Sequence, residues 1–247
     1  MALISFTFHD HLKKLLHHDL REPVFFEHTL ERKASIKDVV ESLGVPHPVV
    51  GMLTVNGQEV DFDYILQDND TVAVNRLQPP VDLFSPTILR PVPLTRLGFA
   101  ADINVGRLAL LLRMLGFDTV YENNLRNSRL AEIALRENRI LLTRDTTLLR
   151  RKIVMHGYLL HSQVPEKQAQ EVIELYDLSN QAKPLSRCLP CNGMLVPIDK
   201  EKIIDRLEPL IRKYYDSFHI CTDCGRIYWP GSHQQKLVAS IDRILGR

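Results

Sequence analysis

Two aspartates and four cysteines hold the chemistry open to this chain. Asp102 stands at the end of Leu97-Gly-Phe-Ala-Ala-Asp102, and Asp145 closes Ile140-Leu-Leu-Thr-Arg-Asp145. Each run reads as a short buried strand turning toward a helix. In a parallel sheet the carboxyl ends of strands lie side by side, so residues distant in sequence can meet there. Two carboxylates brought together repel each other, and a divalent cation between them removes that cost. Magnesium or manganese held by carboxylates and waters can activate a water and stabilise a phosphate under attack. The competing reading is that each aspartate only caps the helix that follows it.

The cysteines form two knuckles, Cys188-Leu-Pro-Cys191 and Cys221-Thr-Asp-Cys224, and they are all the thiols in the chain. A C-x2-C turn presents two thiolates from one tight loop, and two such loops close a tetrahedral zinc shell. The gap between the knuckles exceeds the common spacing of about 15–20 residues. A redox dithiol is the alternative, but it usually opens a helix in a βαβ setting, which neither knuckle does. Structural zinc is the expectation, with His233 as a bystander or an RNA contact.

Composition sets few limits. Lys and Arg number 31 against 30 Asp and Glu, a formal net charge of +1. No global field draws the chain to nucleic acid or membrane, so any basic surface is local. No stretch reaches 18 consecutive apolar residues, and MALISFTFHDHLKK lacks the basic-then-apolar order of a signal peptide. No membrane association is expected. Thiols assigned to metal fit a reducing, cytoplasmic setting.

The chain divides into four stretches. Residues 1–77 alternate as strands at 3–8, 24–28 and 70–75, around a helix that Ser35 caps and Gly44 ends. Asn56-Gly57 supplies the positive φ values of a type I′ hairpin turn. This is a small α+β unit. Residues 78–95 hold five prolines and read as a semi-rigid connector. Residues 96–180 interleave strands at 97–103, 119–121, 140–145 and 158–162 with helices at 106–115, 130–137, 147–155 and 166–176. Ser128 is placed to cap the second of these helices. Regular alternation implies a parallel sheet with right-handed crossovers. Residues 181–247 hold both knuckles and are too few for a core alone, so metal binding decides whether they fold.

The motifs GFAADINVGRLALLLRMLGFDTVY, NRILLTRDTTLLRR, RCLPCNGML and FHICTDCGRIYWPGSH, in that order, resemble the Mut-seven C-terminal RNase domain family, PIN-like nucleases with a C-terminal zinc ribbon. Residues 1–77, with GVPHPVV and TVNGQEVDF, resemble the ubiquitin-like β-grasp domains often fused ahead of it. The resemblance implies a PIN-like α/β sandwich, RNA as substrate and metal-dependent phosphodiester hydrolysis. Asp102 matches the family's first-strand aspartate and Asp145 that of its TRD motif. A sulfur-carrier role for the β-grasp unit is excluded, because its last strand runs on into Arg76-Leu-Gln-Pro-Pro80. A docking role toward a protein partner remains.

One departure bears on catalysis. Where family members carry acids, this chain reads Asn123-Asn124-Leu125-Arg126-Asn127-Ser128-Arg129. An amide is a poorer cation ligand than a carboxylate, and an arginine repels the ion. Glu122 and Glu132 are the nearest acids, at non-matching positions. Basic residues gather around the expected site: Arg107, Arg113, Arg126, Arg129, Arg144, Arg150, Arg151 and Lys152. Arg107, Arg144 and Arg113, with His233, are the expected substrate contacts, since phosphate contacts supply most non-specific nucleic-acid affinity. A solvated helix face accounts equally well for 150–152. Tyr228 and Trp229 either stack on unpaired bases or fill the ribbon core. Three readings follow: a ribonuclease cutting single-stranded RNA, an RNA-binding relative without turnover, and a protein-interaction module.

Overall fold

The computed structural model describes residues 1–21, 25–231 and 234–247. Its N-terminal part contains β1 (Ala2–Phe8), β2 (Phe25–Leu30), α1 (Ile36–Ser42), β3 (Val50–Val55), β4 (Gln58–Glu59) and β5 (Thr71–Arg76). They form a five-stranded mixed sheet, ordered β2-β1-β5-β3-β4, with β1 and β5 parallel at its centre. Strand alternation sends Ile4, Phe6, Phe8, Val72 and Val74 inward, where Ile36, Val39 and Val40 of α1 meet them. Local signals act as read: the Ser35 hydroxyl accepts from the Asp38 amide at 3.1 Å, and Asn56 and Gly57 both have positive φ. Two 3₁₀ turns, Asp10–Leu15 and His18–Leu20, join β1 to β2.

The central part is a four-stranded parallel sheet built from β6 (Phe99–Ala101), β7 (Thr119–Val120), β8 (Ile140–Thr143) and β9 (Gly157–Leu159). Its helices are α2 (Gly106–Met114), α3 (Asn127–Arg136), α4 (Thr146–Leu149) and α5 (Pro165–Leu175). The order β7-β6-β8-β9 reverses direction between β6 and β8, which makes their carboxyl ends the topological switch point. Buried strand residues alternate between two layers. Phe99, Ala101, Ile140 and Leu142 join α2 and α5 on one face, while Ala100, Leu141 and Leu159 join α3 and α4 on the other.

That second face is shared with the ubiquitin-like part. Leu130, Ala134, Leu148, Leu149 and Val154 belong to the same buried cluster as Phe6, Val45 and Val72. Polar ties fix the contact. The Arg150 guanidinium donates to the Gly44 carbonyl at 2.7 Å, and Arg90 donates to the carbonyls of Pro48 and Val50 at 2.8 Å. The buried His47 ring lies 2.8 Å from the Val154 carbonyl and 2.6 Å from Glu41 Oε1.

The proline-rich stretch is a packed strap. Leu83, Leu89 and Leu94 are buried, and the Val81 amide donates to the Leu175 carbonyl at 2.7 Å. Helix α4 ends at Leu149, short of the expected 155, because Val154 is drawn into the shared core and Arg150 toward Gly44. Ser128 lies inside α3, and Arg126 takes the cap position without a side-chain bond.

The C-terminal part has β10 (Leu195–Ile198), α6 (Pro209–Tyr214), β11 (Phe218–Cys221) and β12 (Ile227–Tyr228), the strands forming an antiparallel sheet. The final helix α7 (Gln234–Leu245) packs on α5 of the parallel-sheet layer, burying Ile241, Ile244 and Leu245. Arg243 pairs there with Glu166 at 2.9 Å. Among the described residues, no helix is long and apolar enough to cross a membrane.

Candidate functional site

The carboxyl ends of β6 and β8 bring Asp102 and Asp145 into one hydrogen-bonded unit. Asp102 is only 2 % exposed. Its Oδ1 accepts from the Ile103 amide at 2.6 Å, and its Oδ2 accepts from Asn104 Nδ2 at 2.5 Å and from the Thr143 hydroxyl at 2.6 Å. The same Thr143 hydroxyl accepts from the Asp145 amide at 2.9 Å. One buried side chain therefore bridges the two aspartates. Asp145 is half-buried, and its Oδ1 accepts from the Thr147 amide at 2.8 Å. Its Oδ2 accepts from Asn127 Nδ2 at 3.3 Å. Both aspartates also cap the helical turns that follow them, so the capping reading and the shared-site reading hold together.

Asn104 knits the unit further, its Oδ1 accepting from the Arg144 amide at 3.3 Å. Tyr121 lies over the start of α2, where a Cβ on Gly106 would meet its ring, and its hydroxyl donates to Asn123 Oδ1 at 2.5 Å. The donors around the two carboxylates are amides, hydroxyls and backbone. In type, the carboxylate oxygens of Asp102 and Asp145 themselves suit a small hard cation such as Mg²⁺ or Mn²⁺. Among the described residues no third acid, histidine or cysteine joins Asp102 and Asp145 within metal-binding reach. Glu132 instead pairs with Arg129 at 2.9 Å on the surface.

Thr143, Asn104 and Asn127 were given no role by sequence reasoning. Thr143 had a visible signal: a single polar residue ends the apolar run Ile140-Leu-Leu, two places before Asp145. Asn127 was read only as a missing acid, whereas its amide reaches Asp145.

The expected basic contacts separate into two groups. Arg107 and Arg144 are exposed, beside the two aspartates in sequence. Arg113 is only 3 % exposed, which corrects its reading as a substrate contact. Its guanidinium is spent on four carbonyls: Thr119 at 2.9 Å, Tyr121 at 3.2 Å, and Leu189 and Pro190 at 2.7 and 2.9 Å. Burial pulls its pKa below the ordinary arginine value, offset by the cysteines Cys191 and Cys188 and by Asp118. His233 lies outside the described residues.

Arg113 is one of several ties that hold the first cysteine knuckle to the β7 edge. Asn192 accepts from the Thr119 amide at 3.0 Å and donates to Asp118 Oδ1 at 2.8 Å. Asp118 pairs in turn with buried Arg139 at 2.8 Å. Burial works against the Asp118 charge, but the bonds from Arg139 and Asn192 hold its carboxyl below the usual aspartate value. The edge strand is thereby covered.

The four Sγ atoms of Cys188, Cys191, Cys221 and Cys224 all lie within 4.8 Å of one another. Cys188 and Cys224 are 3.6 Å apart, and Cys191 and Cys221 3.3 Å. A tetrahedral ion with bonds of about 2.3 Å sets its sulfurs roughly 3.8 Å apart, so the cluster fits zinc. The Tyr228 hydroxyl lies 3.0 Å from Cys188 Sγ. The long gap between the knuckles is filled by β10, α6 and a small core of Ile203, Leu207 and Phe218. Trp229 is 38 % exposed and does not join that core.

Comparison with protein families gives two matches. The Mut7-C ubiquitin model matches residues 1–82, and the Mut7-C RNAse domain model matches residues 97–241. No curated protein and no solved structure matches the chain. The two models follow each other in the order the fold displays, ubiquitin-like sheet first, then parallel sheet and cysteine cluster. The larger match spans more than half of the sequence, and it points to a nuclease or RNA-related function: the chain belongs to the Mut7-C RNAse domain family.

Proposed function

We propose that the chain hydrolyses phosphodiester bonds of single-stranded RNA with the help of a divalent cation, at Asp102 and Asp145. The observation that supports this most is the Thr143 hydroxyl, which couples both aspartates at the sheet's switch point. Asp102 and Asp145 are the residues that would hold Mg²⁺ or Mn²⁺; when bound, the ion supplies charge neutralisation and a water acidic enough to attack. Asn104 and Thr143 hold Asp102 in one orientation, and the Thr147 amide holds Asp145. Arg107 and Arg144, both exposed, take the phosphates flanking the scissile bond. The cysteine cluster holds a structural zinc that seats the ribbon on the β7 edge. A protein partner of the ubiquitin-like part would use its exposed sheet positions Leu3, Phe25 and Met52. Cysteines kept for a metal rather than for disulfides suit the reducing cytoplasm.

The test is cleavage of a labelled single-stranded RNA with Mn²⁺ or Mg²⁺ present or withheld. Wild type should cut only with the ion, and Asp102→Asn and Asp145→Asn should each lose at least 100-fold in rate. Equal residual cleavage in all three proteins would remove the proposal. One observation favours a second reading, RNA binding without turnover: Asn127 sits on Asp145 where the resemblance leads one to expect an acid. That reading predicts salt-sensitive RNA binding, no ion-dependent cleavage, and gain of activity in Asn127→Asp.

A further inference from the structure

A cavity of about 330 Å³ opens where the ubiquitin-like part, the strap and the end of β9 come together. It is not slack left by poor docking. A few residues away, the same junction is closed by Arg150 on Gly44, His47 on Val154 and Arg90 on Pro48 and Val50. The volume falls within the range of about 300–1,000 Å³ typical of small-molecule sites.

Its lining is divided. Leu12, Leu15, Val49 and Leu175 supply an aliphatic floor, and His11, Tyr158 and His161 supply rings. The His11 and His161 rings stand 5.6 Å apart with a 50° tilt, one from each part of the molecule. Tyr158 packs edge-on against His161 at 5.9 Å. Glu171, also in the lining, holds His161 in place: the His161 amide donates to its Oε2 at 2.9 Å, and the Ser162 amide to its Oε1 at 2.8 Å. Planar rings over an apolar floor, edged by Arg76, Glu171 and Glu174, suit a flat heterocycle that stacks and donates or accepts at its rim.

The cavity is lined by the end of β9, the strand that pairs with β8, whose own end leads to Asp145. Thr143 of β8 pairs with Leu159 of β9, and the Leu160 amide donates to the Thr143 carbonyl at 2.9 Å. Two residues beyond the last pair of this ladder, β8 leads to Asp145 and β9 to His161. We propose that this cavity receives an unpaired nucleobase of the RNA, next to the phosphate held at Asp102 and Asp145. The inference rests on RNA being the substrate. It gives the ubiquitin-like part a direct share in substrate recognition, because His11, Leu12 and Leu15 form one wall.

The experiment uses the full chain carrying Asp145→Asn, so that binding is read without cleavage. The affinity for a short single-stranded RNA is compared with that of the same protein also carrying Leu15→Trp, which fills the cavity, or His11→Ala, which removes one exposed ring. Each change should weaken binding about 5- to 140-fold, the range given by about 1–3 kcal/mol per stacked base at 1.4 kcal/mol per tenfold. Independently of any variant, adenosine, guanosine, cytidine and uridine monophosphates should shift the His11 and His161 ring signals in NMR spectra of the wild-type chain. Unchanged RNA affinity in both variants, or no ring shift with any of the four nucleotides, overturns the pocket. If wild type cuts RNA while both variants bind as the parent does, the pocket fails and hydrolysis stands. If binding depends on the pocket but nothing is cut, the pocket stands and hydrolysis fails.

Discussion

Replacing Thr143 by valine tests how the two aspartates are coupled, because it removes a hydroxyl and almost no volume. Thr143 is fully buried, so valine leaves neither a void nor an overpacked site. Two bonds vanish: the 2.6 Å donation to Asp102 Oδ2 and the 2.9 Å acceptance from the Asp145 amide. A hydrogen bond to a charged group contributes about 1.5–3 kcal/mol, and an orphaned buried donor costs about 1–3 kcal/mol. Asp145 is half-buried, so water relieves part of the second cost. The variant should be less stable by about 2–4 kcal/mol at pH 7. Urea denaturation followed by circular dichroism measures this. Cleavage should fall by about 10- to 100-fold, since each 1.4 kcal/mol lost from positioning is tenfold in rate. Thr143→Ser keeps the hydroxyl and should recover most of both losses. A valine variant within about 0.5 kcal/mol of wild type, against the ~2–4 kcal/mol expected, would refute the coupling. So would a serine variant as impaired as the valine one.

Arg113→Met should destabilise the chain by about 2–5 kcal/mol, because four carbonyls lose a charged donor and such bonds contribute about 1.5–3 kcal/mol each. It should also speed zinc loss to a chelator, because Leu189 and Pro190 of the first knuckle lose their donor; a thiol-competing dye that reports zinc release follows this. Chelation itself should unfold the ribbon, whose metal binding is worth about 10–16 kcal/mol in comparable zinc peptides, and should lower the thermal midpoint. Asp118→Asn should destabilise at pH 7, and the difference from wild type should shrink as pH falls below the ordinary aspartate value. Its folded-state pKa is depressed, so its stabilising charge is present above the unfolded value of about 3.9 and lost as pH falls through the folded one. Parallel denaturation curves for wild type and variant across that window measure the convergence. Leu149→Ala at the shared core should cost about 2–5 kcal/mol in one cooperative transition that includes the ubiquitin-like part. Separate transitions for the two parts would contradict a common core.

Much of this molecule is written locally. The Ser35 cap, the Asn56-Gly57 turn, the alternation of β1 and β5 and the strand–helix rhythm after residue 96 each depend on near neighbours, and periodicity reports them. So do the two knuckles, because a C-x2-C turn fixes its own ligand geometry. The positions of Asp102 and Asp145 were legible as strand ends, but not the threonine joining them, since no pattern says which hydroxyl lands between two strands. Long-range ties were hidden for the same reason. Arg113 and Arg150 look like surface charges in sequence, yet their guanidinium groups reach carbonyls 76 and 106 positions away. The prolines of 78–95 read as a connector, yet Leu89 is buried in the core shared with the ubiquitin-like part, and Leu83 and Leu94 in the α2–α5 layer. That docking is a property of two complementary surfaces, which a single run of residues does not display.

The central claim is that Asp102 and Asp145 act as one unit on RNA, and a double-mutant cycle on Mn²⁺-dependent cleavage tests it most directly. Rates of wild type, Asp102→Asn, Asp145→Asn and the double variant are compared at equal folded content. Residues that act together are strongly non-additive, so each single variant should lose nearly all activity and the double variant should be no slower than either. Losses that multiply independently, or a single variant as fast as wild type, would contradict the account.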